Sequence, residues 1–171
     1  IYKAKNGRVL ADNGERYGYF AKAVLSTLPH LFWSPDIFIC NGWQSAMVPG
    51  IYKRHFEGTN DFYKKIKTVM IIHSLDEYST VSRVDLEKAE LPVHKSLKGD
   101  NLNIYDVASY EADAIIIMDK PSNCISKTLL KQQGLKANKN KVTVLSYSDD
   151  ELPNYLNLGN EIEEVLKKLS E

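Results

Sequence analysis

The chain has little of what marks several common protein classes. Its 171 residues include only two cysteines, and 22 basic residues balance 22 acidic ones, so the formal net charge is zero. Two cysteines are too few for a disulfide-stapled scaffold, and with four scattered histidines they argue against a structural zinc site. Zero net charge without a basic stripe argues against a nucleic-acid partner, because phosphate recognition depends on clustered Lys and Arg. No apolar run approaches the roughly 20 residues that cross a bilayer.

Several enzyme signatures are missing as well. The sequence has no Walker A loop, no G-x-G-x-x-G, no G-x-S-x-G, no H-E-x-x-H and no C-x-x-C pair. Each of these motifs builds a defined phosphate loop, nucleophile or metal site, so the corresponding classes have no support here. We expect a cytoplasmic protein that binds no metal, no nucleic acid and no membrane. Cys40, in an apolar run, and Cys124, in a predicted helix, are expected to be free thiols in a reducing compartment.

Four short apolar runs are typical of buried β-strands: residues 36–40, 68–72, 114–118 and 141–145. They are apolar at successive positions, which indicates strands that are buried on both faces of a parallel sheet. Segments with helical spacing separate them. This alternation predicts an α/β fold, a Rossmann-like doubly wound parallel sheet, in a single domain.

The remaining segments give less regular patterns. We expect the first eleven residues to form the far side of a hairpin or a loop whose partner is missing, and a helix to run from Asp12 or Asn13 to Pro29. Residues 74–100 show no clear period and predict a long excursion with one short helix at most. The other predicted helices cover residues 43–55, with an interruption near Pro49 and Gly50, then 102–111, then 122–133 ending at Gly134, and a closing helix around 162–169.

Doubly wound sheets bind their ligands outside the carboxyl ends of the strands. Three segments follow predicted strands and therefore become candidates: residues 41–44, 73–78 and 119–123. In the third, Ser122 or Asn123 fits the start of a helix, so we favour a structural role for that segment.

His73 directly follows the second predicted strand. An imidazole at this position can donate a hydrogen bond to a ligand or carry a proton near neutral pH. The alternative is that it only bonds to the backbone at the end of the strand. The spacing leaves both interpretations open.

The segment Asn41-Gly42-Trp43-Gln44 joins the first strand to a helix. Its backbone N–H groups and the two amide side chains can converge on a polar ligand, with Trp43 stacked on a sugar ring. In the structural interpretation, which we favour from spacing alone, Gly42 makes a tight turn and Trp43 belongs to the core.

Four segments, in the right order, resemble bacterial glycogen synthases and plant starch synthases. Residues 12–17 read D-N-G-E-R-Y and resemble the D-N-x-x-R-F helix start of that family. Residues 35–44 read P-D-I-F-I-C-N-G-W-Q and resemble P-D-I-I-H-x-H-D-W-Q. Residues 67–75, K-T-V-M-I-I-H-S-L, are similar to K-x-V-x-T-I-H-N-L, and residues 110–114, Y-E-A-D-A, to Y-A-D-A-V.

The resemblance implies half of a GT-B fold, in which two Rossmann-like domains face a cleft. It also implies transfer of glucose from ADP-glucose, as a substrate with no further cofactor, to an α-1,4-glucan with retention of configuration. Residues 1–171 are then expected to be one partial domain, the acceptor-side N-terminal domain without its first strands. His73 matches the active-site histidine of the family, and Asn41, Trp43 and Gln44 are the expected substrate-binding residues.

The sequence departs from the family pattern at two places. Gly42 stands where the family has Asp before the Trp, and the K-x-G-G-L donor loop has no counterpart. Asp76 and Glu77 are candidates to supply acidity from the adjacent loop. The alternative function is therefore a non-catalytic glucan-binding or regulatory module that kept the fold. A sheet that starts at residue 36 would also expose an apolar edge, so we expect a partner chain or a further domain to cover it.

Overall fold

A computed structural model describes residues 2–148 and 155–170. The strands are β1 (Ile37–Asn41), β2 (Lys67–Ile72), β3 (Thr80–Ser82), β4 (Asn101–Asn103), β5 (Ala114–Asp119) and β6 (Val142–Ser146). The helices are α1 (Asn13–Thr27), α2 (Val48–His55), α3 (Arg83–Lys88), α4 (Ile104–Ala108), α5 (Ser126–Leu129), α6 (Gln133–Ala137) and α7 (Tyr155–Ser170). None of the described helices is long and apolar enough to cross a membrane.

The four predicted strands form one parallel sheet in the order β1-β2-β5-β6. Cys40 of β1 lies opposite Met70 of β2, and Ile71 lies opposite Ile116 of β5. Because all four strands run in the same direction, their carboxyl ends share one edge of the sheet. The predicted α/β fold and parallel sheet are confirmed.

Apolar layers cover the sheet on both faces. The larger core includes Leu25 of α1, Ile51 of α2 and Ile115 of β5, all at most 1% exposed. The smaller core lies on the other face, where Leu166 of α7 packs against a cluster that contains Ile116. Burial on both faces explains why the central strands β2 and β5 have runs of successive apolar residues instead of an alternating pattern.

The β1 strand is an edge of this sheet, as expected. Ile39 is 47% exposed and Trp33 is 58% exposed beside it. An open groove of 510 Å³ runs along β1, lined by apolar residues of α1, the segment that follows it, and the strand itself. Within residues 2–148 and 155–170, β1 has no strand on its outer side, and this edge of the sheet with its apolar groove is uncovered.

The predictions for the helices that follow β5 are wrong in detail. The helix predicted for residues 122–133 is two short helices, and Gly134 lies inside α6 instead of ending a helix. The cause is capping by distant carboxylates: Asp119 accepts hydrogen bonds from the backbone N–H and the hydroxyl of Ser126, which starts α5. Asp106 accepts from the backbone N–H of Leu135 at 2.9 Å in the first turn of α6. Cys124 therefore lies in the loop before α5.

The predicted helix over residues 43–55 is also divided, but not at Pro49 and Gly50. A 3-10 turn covers Trp43–Ser45, and α2 then begins at Val48. Pro49 lies in the first turn of α2, where its missing N–H has no helical partner to lose. The proline therefore helps to start the helix.

Two other segments have a structure that differs from the prediction. Residues 2–10 form their own small hairpin, with Lys3 bridged to Val9, so this segment supplies both arms of the hairpin. The excursion over residues 74–100 contains α3 and strand β3, which pairs in antiparallel fashion with β4. We call this pair the β3–β4 ribbon. β3 and β4 have only three residues each, which is too short to give a recognisable hydrophobic period in the sequence.

The two cysteines are expected to react differently. Cys40 is fully buried, and burial raises the pKa of its thiol to about 12, whereas Cys124 is partly exposed. Because the thiolate is the reactive form, a thiol reagent at mildly alkaline pH should modify Cys124 alone in the native protein and both residues in denaturant. Mass spectrometry of the modified protein measures this. Rapid native modification of Cys40 would contradict the burial of its side chain in β1.

Candidate functional site

Two loops meet at the carboxyl edge of the sheet. Gly42 follows β1, and its backbone N–H donates to the carbonyl of Ile71 at 3.0 Å, which extends the pairing with β2 by one residue. The Ser45 hydroxyl donates to the carbonyl of Asn41 at 2.9 Å and lies 3.2 Å from that of Gly42. These bonds hold the β1 turn beside the end of β2, where His73 begins the next loop.

Gly42, Gln44 and His73 converge in this turn. A Cβ atom added to Gly42 would lie 3.2 Å from Nε2 of His73 and 3.0 Å from Oε1 of Gln44. Gly42 also has φ +73°, a left-handed conformation that favours glycine. Conformation and crowding both explain why the turn has a glycine here. An imidazole and an amide thus lie against the same backbone position, where both are available to a ligand.

His73 is exposed, and no hydrogen bond of its side chain is found within residues 2–148 and 155–170. Asn41 is also exposed, at the last position of β1 and in register with Ile71. Both residues are therefore exposed at the same edge of the sheet. The structure brings both predicted residues to one edge, as the topology required.

Trp43 has a different setting. It is 6% exposed and its ring lies 4.8 Å from the ring of Tyr17, 5.7 Å from Tyr2 and 6.2 Å from Tyr78. The contacts with Tyr17 and Tyr2 are edge-to-face, an arrangement that stabilises a cluster beyond the burial of area alone. This packing corresponds to the interpretation in which Trp43 supports the turn from the core.

The carboxylate of Asp76 makes hydrogen bonds within its own loop. It accepts from the backbone N–H of Tyr78 at 2.9 Å and lies 3.5 Å from the hydroxyl of Ser74. Asp76 therefore fixes the loop that follows His73. The third candidate segment is structural too, since Asp119 is buried and caps α5.

Sequence reasoning missed Tyr105, which lies beneath both loops. It is 1% exposed, and its hydroxyl adjoins the Ser74 side chain and the backbone of Trp43 without a hydrogen bond of good geometry among the described residues. Burial raises the pKa of this phenol, and the nearby charge of Asp76 raises it further. Tyr105 thus stays neutral and fills the space between the two site loops. No spacing rule links it to His73, because only the folded chain brings α4 under them.

The parallel sheet and its helices have the fold of part of a GT-B catalytic domain. The catalytic domain of starch synthase IV from Arabidopsis thaliana, bound to ADP and acarbose, superposes with a TM-score of 0.62 over 79% of this chain and 30% of that one, at 20% sequence identity. At this identity the match defines the fold.

Sequence comparison then gives the family. Residues 1–132 match the model of the starch synthase catalytic domain. The glycogen synthase of Clostridium perfringens is 35% identical over 121 residues, which are 71% of this chain and 25% of that enzyme. The glycogen synthase of Caldicellulosiruptor bescii is 32% identical over 140 residues, 81% of this chain and 27% of that enzyme. The chain belongs to the starch synthase catalytic domain family and spans about a quarter of the length of these relatives.

Proposed function

We propose that this chain is the acceptor-side part of a glycosyltransferase that moves glucose from ADP-glucose to the end of an α-1,4-glucan. The observation that carries the proposal is the convergence of His73 and Gln44 on Gly42 at the carboxyl edge of the sheet. The names of its relatives, which are glycogen synthases, and the ADP and acarbose on the starch synthase IV domain support this choice of substrates.

The proposed roles follow from the chemistry of each side chain. His73 hydrogen-bonds to the glucosyl unit that is transferred, while Gln44 and Asn41 orient sugar hydroxyls with amides that both donate and accept. Trp43 supports the turn from below. A hydrogen-bond donor placed beside the reacting sugar stabilises charge as it develops in the transition state, which is the role we propose for the imidazole of His73.

The proposed reaction needs a donor-binding half as well. The K-x-G-G-L loop is absent from this sequence. The uncovered edge of β1 and its apolar groove favour a further domain or a partner chain on that side of the sheet. We propose that such a segment completes the sheet, and that α-glucan and nucleotide sugar are the ligands of the assembled protein.

Gly42 favours a second candidate function. With glycine at this position, the side chains that approach it are the amide of Gln44 and the imidazole of His73, so no carboxylate stands at the family position. A module that binds glucan without transferring glucose needs hydrogen bonds to sugar but no such acid. The second candidate is therefore a glucan-binding or regulatory module.

Incubation of the full-length gene product with labelled ADP-glucose and maltotriose distinguishes the glycosyltransferase from the glucan-binding module. We expect label in longer maltooligosaccharides. Saturable binding of maltotriose without incorporation would favour the binding module, and absence of both binding and incorporation would overturn both candidates. The same assay without maltotriose controls for hydrolysis of the donor.

A further inference from the structure

The loop that begins at His73 is hydrogen-bonded to the start of α4. Asn103 is the last residue of β4, opposite Thr80 in the β3–β4 ribbon, and directly precedes α4. Its Oδ1 accepts from the backbone N–H of Tyr105 at 2.9 Å, and its Nδ2 donates to the hydroxyl of Ser79 at 3.2 Å. One amide side chain therefore caps a helix and contacts the segment between β2 and β3.

Ser79 extends this hydrogen-bonded path towards His73. It is 1% exposed, and its hydroxyl donates to the backbone carbonyl of Asp76 at 2.7 Å. The carboxylate of Asp76 in turn lies 3.5 Å from the hydroxyl of Ser74, the residue that follows His73. The contacts form a continuous path from Asn103 to the neighbour of the histidine in the candidate site.

The position of His73 depends on the conformation of this loop. No hydrogen bond holds its ring within residues 2–148 and 155–170, and the loop itself has only one short 3-10 turn, Glu77–Ser79. In a segment without strand or helix pairing, a satisfied network of side-chain hydrogen bonds makes the backbone rigid. We propose that Asn103 is a positioning residue, which acts through Ser79 to hold His73 against the Gly42 turn. This role rests on the function proposed above.

The amide of Asn103 is suited to both of its contacts. Asn, Asp and Ser cap helices about equally well, because each has an oxygen that accepts from a backbone N–H of the first turn. An ionised aspartate only accepts, and serine has a single O–H on a shorter side chain. Among these three residues, Asn is the one that can keep the cap of α4 and also donate an N–H to Ser79.

Asn103→Asp and Asn103→Ser therefore test the proposal, since both keep the cap and remove the donor to Ser79. In the full-length gene product, each should keep the melting temperature of the wild type. We expect kcat for transfer from ADP-glucose to maltotriose to fall by about 10- to 100-fold, because small displacements of a reacting group are costly. The KM for maltotriose should change by less than about twofold, since the lost contact acts in the transition state.

NMR of the histidine rings gives a readout that is independent of transfer. In the ligand-free Asn103 variants, the ring resonances of His73 should shift, whereas those of His30, at the opposite edge of the sheet, should not. The variant His73→Ala assigns the signals. A change that affected only the stability of α4 would leave the His73 resonances of the folded protein where they are in the wild type.

Asn60 provides the matched control. Its Oδ1 accepts from the backbone N–H of Phe62 at 3.0 Å, which is the same cap geometry, but it lies before β2 and thus near the amino ends of the strands. Asn60→Asp and Asn60→Ser should leave kcat and the His73 resonances unchanged.

Two results would overturn the proposal. One is wild-type kcat with unshifted His73 resonances in both Asn103 variants, and the other is a lowered melting temperature with unshifted His73 resonances. If the wild-type protein transfers no glucose, the proposed function fails by itself. Shifted His73 resonances at an unchanged melting temperature would then still support the positioning of His73 by Asn103.

Discussion

Replacing His73 by alanine should lower the rate of glucosyl transfer by about 10²–10³-fold, the usual effect of removing one preorganised hydrogen-bond donor from a reaction centre. The fold should survive, because His73 is exposed and holds no other part of the described chain by a side-chain hydrogen bond. The measurement is the initial rate of transfer from ADP-glucose to maltotriose by the full-length product, together with its thermal melting curve.

His30→Ala is the matched control for this variant. His30 is also an exposed histidine, but it lies in the 3-10 segment Leu28–Leu31, near the amino end of β1 and thus at the opposite edge of the sheet. Its replacement should leave transfer unchanged. Wild-type rates for His73→Ala in a folded protein would remove His73 from the reaction.

Replacing Gly134 by alanine should lower the free energy of unfolding by about 3 kcal/mol, at the upper end of what overpacking usually costs. A Cβ atom there would lie 2.4 Å from the backbone oxygen of Asp106, 2.9 Å from its Oδ1 and 2.8 Å from the hydroxyl of Ser109. The backbone oxygen cannot rotate away as the end of a side chain can, so α6 must separate from α4. Urea denaturation followed by circular dichroism measures the loss.

Gly159→Ala provides a control of the opposite sign. Gly159 is an exposed residue inside α7, and nothing lies within 4 Å of the position that its Cβ would take. Alanine should therefore stabilise the protein by about 0.5–1 kcal/mol through helix propensity. Equal stability changes at both glycines would contradict the packing of α6 against α4.

The sequence predicted the sheet well because the signal for it is local. Each strand of the parallel sheet is a short run of apolar residues, and the observed bounds differ from the predicted ones by about one residue. The helices after β5 were predicted less well because their starts depend on Asp119 and Asp106, carboxylates that cap them from outside the helical segments. A cap from a distant residue leaves no mark in the periodicity.

Some features of the candidate site were predictable from the sequence, and others were not. The rule that ligands bind at the carboxyl ends of parallel strands led directly to Gly42 and His73, which the structure brings into contact. The buried Tyr105 under both loops and the hydrogen bond between Asn103 and Ser79 were not predictable. Both depend on contacts between residues far apart in the sequence, and neither residue type is unusual in its own segment.

Titration of the protein with maltotriose while the histidine ring resonances are followed by NMR tests most directly whether the carboxyl edge of the sheet binds glucan. The chain has four histidines, so the resonances are few and the variants His30→Ala and His73→Ala assign the two that matter. We predict a saturable shift of the His73 signals, with those of His30, His55 and His94 unchanged. Binding of maltotriose without any shift at His73 would contradict the proposed site.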